Sequence, residues 1–115
     1  MAHTIGGSGV NHIETVAHGE KFLQDLQGEI IACQNTDLYG RRKMRMRDEV
    51  NRKEMLFQSH CHLRMMQCPS QICPKTGVEL NKDRQGWIDL HNKCGEMTSD
   101  MIEYFKKLRM NRDYI

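Results

Sequence analysis

WIDLHNKCGEMTSDMIEYFKKL, residues 87–108, decides the fold. Trp87, Leu90, Cys94, Met97, Met101, Tyr104 and Leu108 recur in it at alternating steps of three and four. That spacing puts them on one side of an α-helix, and a sustained seven-residue repeat is the seam of helices packed along their length. Ile102 and Phe105 broaden the stripe. Lys106, Lys107 and Arg109 fall in the last turns, where cations suit the carbonyl end of the helix dipole. The spacing predicts a helix over about residues 85–110.

Two further stripes lie upstream. Val16, Leu23, Leu26, Ile30 and Cys33, widened by Phe22 and Ile31, predict a first helix over about residues 11–34. Asn11 is its expected N-cap, with Glu14 three residues on in a capping-box arrangement. Gly19 takes the one missing position of the stripe. It and Gly28 each cost about 1 kcal/mol relative to Ala, so packing has to stabilise this helix. After the polar break Asn35–Gly40, Met46, Val50, Phe57, Cys61 and Met65 predict a second helix over about residues 41–67. Leu56 and Leu63 lie to one side, so its second half has a wide apolar surface. Its first half is basic, through Arg41, Arg42, Lys43, Arg45 and Arg47. A helix basic at one end and apolar at the other meets two different surfaces. Pro69 and Pro74 disfavour helical geometry at Cys68 and Cys73, which predicts a Cys/Pro loop over residues 68–84.

The fold class expected from these runs is all-α. Three long helices form an antiparallel bundle, or a coiled coil shared with another chain. Only 6% of the 115 residues are aromatic, against the usage of a β-sandwich or barrel. The length suits a single helical domain, residues 11–115, behind a flexible tail at 1–10 that ends in Gly6-Gly-Ser-Gly9.

The net charge of +2 conceals an uneven distribution. Residues 1–40 hold five acids and one Lys, whereas residues 41–67 hold eight bases and three acids. The first two helices are therefore complementary, either to each other or to oppositely charged partners. Five cysteines and the lack of an apolar secretory core near the amino terminus lead to an expected reducing compartment, cytoplasm or nucleus. No run reaches the ~20 apolar residues of a membrane span.

Few residues suggest chemistry. His60, Cys61, His62, Cys68 and Cys73, with His91 and Cys94, are of the types that hold zinc, but their spacing lacks two-residue knuckles. Cys61 and Cys94 also fall on apolar stripes, where a thiol packs as a small hydrophobe. A Cys beside a His can act as a nucleophile, yet no third orienting group is in register. The basic run Arg41–Arg47 lacks the interleaved aromatics that stack bases. The expectation is a non-enzymatic helical interaction subunit, an adaptor or scaffold component of a homo- or hetero-oligomeric assembly, with no cofactor and no metal. Its expected grip on other protein chains is Leu90, Met97, Met101, Tyr104, Phe105 and Leu108 of the third helix. The alternative is a small zinc-stabilised or nucleic-acid-binding module, using the Cys61–Cys73 region and the basic face Arg41, Arg42, Lys43, Arg45 and Arg47.

Overall fold

The computed structural model describes residues 10–36 and 40–111. A 3-10 turn at Val10–His12 leads into α1 (Val16–Asn35), α2 (Arg41–Gln67) and α3 (Lys82–Asn111). Pairs across the helices fix their directions. Phe22 stacks on Phe57 with ring centroids 4.9 Å apart, and Glu29 meets Lys53 at 2.7 Å, so α1 and α2 are antiparallel. Cys94 contacts the Glu54 carbonyl, Arg64 lies over Trp87 and Lys43 reaches Tyr104, so α2 and α3 are antiparallel too. The result is an up-down-up three-helix bundle within one chain. The ion pair between Glu29 and Lys53 joins the acidic first helix to the basic second.

The apolar stripes read from the sequence meet in one core. Leu23, Leu26, Ile30 and Cys33 come from α1, Val50, Phe57 and Cys61 from α2, and Trp87, Leu90, Cys94, Met97, Met101 and Phe105 from α3. Burying side chains of this size stabilises the bundle by roughly 1.5–3 kcal/mol each before chain entropy is subtracted. Among the described residues, no helix is long and apolar enough to cross a membrane.

The expected boundaries shift at two places. The first helix starts at Val16, not near Asn11, and its N-cap is Thr15. The Thr15 hydroxyl accepts the His18 N–H at 3.1 Å, and His18 Nδ1 accepts the Glu14 N–H at 3.3 Å. This reciprocal pair does the work expected of Asn11 and Glu14. It leaves Val10–Glu14 to turn back over the core, where Ile13 is buried and its carbonyl is held by His60 at 2.7 Å and Arg64 at 3.2 Å. The tail expected over 1–10 lies outside the described residues except for Val10, which packs against the core. The third helix begins at Lys82, three residues early, because the Asn81 side chain caps it by accepting the Arg84 N–H at 3.0 Å. Before it the chain is extended: Ile72 and Glu79 form an isolated antiparallel bridge, closed by the Cys73 N–H on the Val78 carbonyl.

Glycine at position 19 has a reason the sequence hides. A Cβ there would sit 2.5 Å from Leu90 Cδ1, and one at Gly86 would meet both methyls of Val16 within 2.9 Å. The two glycines let α1 and α3 approach closely at one end of the bundle. Gly28 faces open space and is the true soft point of α1.

Lys43 is the largest departure from the expected pattern. It is 2% exposed. Its Nζ donates to Tyr104 Oη at 2.6 Å and to the Gln34 carbonyl at 3.3 Å, and the Tyr104 hydroxyl donates to that same carbonyl at 2.7 Å. An ammonium set against the carbonyl end of α1 satisfies acceptors that the helix itself leaves open. Lys43 thus ties all three helices together instead of belonging to a surface.

Candidate interaction surface

A helix of 27 residues has room for more than one stripe, and α2 carries two. The inward one runs Lys43, Arg47, Val50, Glu54, Phe57, Cys61 and Arg64, in alternating steps of four and three. The outward one runs Arg45, Glu49, Arg52, Leu56, Ser59, Leu63 and Met66 in the same alternation. Every residue of the outward stripe is exposed. Leu56 is 51% exposed, Leu63 55% and Met66 73%. Met55, beside them, is exposed as well. Large aliphatic side chains in water at helical spacing are the unusual observation, since scattered ones need no account and an ordered row does.

The surroundings extend this surface. Met55, Ser59 and His62 of α2 and His91 of α3 line a shallow groove of about 370 Å³ beside the stripe. Beyond the carboxyl end of α2, Ile72, Val78 and Leu80 of the loop are also exposed. From Met55 to Pro74 the chain has one formally charged side chain, Arg64, in a protein that is 28% charged. Toward its amino end the stripe is basic. Arg41, Arg42, Arg45 and Arg52 are exposed, and the ion pairs among the described residues involve none of them. Arg47, by contrast, pairs with Asp48 at 2.8 Å and lies over the Phe105 ring.

The residues expected to grip a partner lie elsewhere. Leu90, Met97, Met101 and Phe105 are buried against α1 and α2, and Tyr104 and Leu108 are half-buried at the edge of that core. The apolar seam of α3 closes the chain's own bundle, so the grip expected there is not open in this fold. Leu90 and Met97 border a groove of about 280 Å³ between α1 and α3, with Glu20, Gln24, Gln27 and Lys93 around it. Of the expected basic face, Arg41, Arg42 and Arg45 remain at the surface, Arg47 is partly covered, and Lys43 leaves it altogether. Leu56 and Leu63 are the functional candidates that the stripe reading set aside. Their signal in the sequence is the widening of the α2 stripe beyond what one interface needs.

The cysteines divide by environment. Burial pushes the Cys61 and Cys94 thiols up to about 12, with the Glu54 carboxylate adding to the effect at Cys94. Cys33 is raised by burial as well, against the opposing fields of Lys43 and Arg47. Such thiols stay protonated at neutral pH and serve as core residues. Cys73 shifts the other way, its thiolate favoured by the Thr76 hydroxyl and by the backbone N–H groups of Thr76 and Lys75. Among the described residues no three His, Cys, Asp or Glu side chains come together as metal ligands. Of the thiols in the zinc-site alternative, Cys61 and Cys94 are buried in the core, whereas Cys68 and Cys73 lie half-buried in the loop.

No protein-family model, no curated protein and no solved structure matches this chain.

Proposed function

We propose that this protein is a non-enzymatic helical interaction subunit, a scaffold or adaptor that holds another protein chain against the outward stripe of α2. The observation that supports this most directly is the row Leu56, Leu63 and Met66. Spaced by seven and three residues, it stays on one face of the helix while facing solvent. Interior packing does not require these side chains, because the inward stripe of the same helix already supplies Val50, Phe57 and Cys61 to the core. A protein surface of this kind, aliphatic at its centre and polar around it, is what partners bury.

The test is an assembly measurement with an intact fold. Wild-type chain in extract from its native source elutes in an assembly larger than the monomer. The double variant Leu56→Glu/Leu63→Glu elutes as a monomer, with helicity and melting temperature unchanged. A wild type that elutes alone, or a double variant still in the assembly, would overturn the reading.

A further inference from the structure

We infer that the occupant of the outward α2 stripe is a helix of a different protein, acidic along one half of its contact face and aliphatic along the other. This rests on the interaction reading above and adds the chemistry of the partner.

Two features of the row point to a helix of this kind. The first is spacing. Arg45, Glu49, Arg52, Leu56, Ser59, Leu63 and Met66 keep alternating steps of four and three over the whole row. That repeat is the register a second helix needs to stay in contact through successive turns, whereas a small ligand imposes no such repeat. The row spans roughly 32 Å at 1.5 Å per residue, the length of about three heptads. The second is charge. The amino half of the row presents Arg45 and Arg52, flanked by Arg41 and Arg42, all exposed and outside every ion pair among the described residues. Glu49 is the one acid of the row, and Asp48 beside it is already engaged by Arg47. The carboxyl half, from Leu56 to Met66, carries no charge in the row. Acidic side chains opposite the arginines and aliphatic ones opposite Leu56, Leu63 and Met66 match both halves at once.

The α2 helix of a second copy matches only one half. Two α2 helices laid antiparallel about Ser59 bring Leu56 of each near Leu63 of the other. Arg52 and Arg45 then face Met66 and the segment 67–74, which carries no formal charge, and the acid bridged to it, Glu79, is already engaged by Arg84 at 2.7 Å. Laid parallel, arginine faces arginine. The acids of α1 are partly committed, Glu29 to Lys53 and Asp25 to Lys21.

The experiment uses the full chain and synthetic helical peptides of about three heptads with Leu on the contact positions of one half. In one pair the other half carries Glu, placed amino-terminal in one peptide and carboxyl-terminal in the other. Controls carry Gln or Lys there. Binding is read by fluorescence anisotropy. One Glu peptide is expected to bind roughly tenfold more tightly than the Gln control at low salt, with the advantage disappearing near about 0.5 M salt. Arg45→Glu/Arg52→Glu removes that advantage and leaves the Gln peptide bound as before. Leu56→Glu/Leu63→Glu removes binding of every peptide. Equal binding of Glu, Gln and Lys peptides, still lost in Leu56→Glu/Leu63→Glu, would overturn the acidic partner while leaving the interaction surface standing. Peptide binding that ignores Leu56→Glu/Leu63→Glu overturns both. A wild-type dimer abolished by Leu63→Glu, or seam-dependent binding to phosphatidylserine vesicles with no peptide bound, overturns the inference in favour of a second copy or a lipid surface.

Discussion

The inward and outward stripes of α2 use one spacing and nearly one vocabulary. Lys43, Glu54 and Phe57 stand on the first, and Arg45, Glu49 and Leu56 on the second. Each has a cation, an acid and a large apolar residue. The first trio is buried and the second exposed. What separates them is the neighbourhood. Inward, the ammonium of Lys43 finds the end of α1 and the Tyr104 hydroxyl, and Phe57 finds Phe22. Outward, Arg45 and Arg52 are in none of the ion pairs among the described residues, and Glu49 between them is the one acid of their row. A stripe's hydrophobicity is therefore a poor guide to its burial when long polar side chains have partners inside.

Two pairs of substitutions and one single variant would break or sharpen this contrast. The largest effect is expected at the aromatic pair. Phe57→Ala loses about 3–5 kcal/mol of unfolding free energy in denaturant titration, because a fully buried ring leaves a cavity against Phe22. Leu56→Ala, one residue away, changes it by no more than about 0.5 kcal/mol. Comparable losses at the two positions would mean that Leu56 is a core residue and the outward stripe is covered.

Next comes the pair of cations. Lys43→Met is expected to cost about 1–3 kcal/mol, since the hydrogen bonds it makes to Gln34 and Tyr104 are lost inside the bundle. Arg45→Met stays within about 0.5 kcal/mol. The same titration checks both, and a Lys43→Met variant as stable as wild type would show that Lys43 does not tie the three helices together.

The smallest effect concerns Glu54, 6% exposed on the inward stripe. Burial holds its carboxyl above the usual value of 4.5, against smaller opposing effects of the Thr98 hydroxyl and His91. A raised folded-state value means the native protein keeps this proton after the unfolded chain has released it. The stabilisation is therefore complete below pH 4.5 and is lost as pH rises through the folded value. Melting temperatures of Glu54→Gln and wild type, followed from about pH 4 to pH 7, should diverge in favour of Gln as pH rises. A constant difference across that range would show that Glu54 ionises as freely in the fold as in the unfolded chain.

The legibility of the molecule follows the same division. Helical spacing from Trp87 to Leu108 was enough to read α3, its register and its role as a seam, because every position of that stripe is apolar or aromatic. It did not say whose helices the seam meets. A heptad row is equally suited to a partner chain and to α1 and α2, and the connections from Asn35 to Gly40 and from Cys68 to Asn81 let the chain's own helices get there first. The helix start at Thr15 was obscured because Asn11-x-x-Glu14 and Thr15-x-x-His18 offer similar capping chemistry, and the choice was made by burying Ile13. Lys43 read as surface charge for want of any sign that an acceptor cluster lay 61 residues away at Tyr104.

By itself, then, the sequence determined three helices and the apolar content of each, since periodicity and propensity act within a few turns of chain. It also determined that α2 would be basic before it turned apolar. Which of the two stripes of α2 points inward was decided by tertiary structure alone. The inward direction is the one that lets Phe57 stack on Phe22, Val50 and Cys61 join the core and Lys43 close the end of α1. That choice leaves Leu56, Leu63 and Met66 in water, because one helix can bury only the face its two neighbours cover.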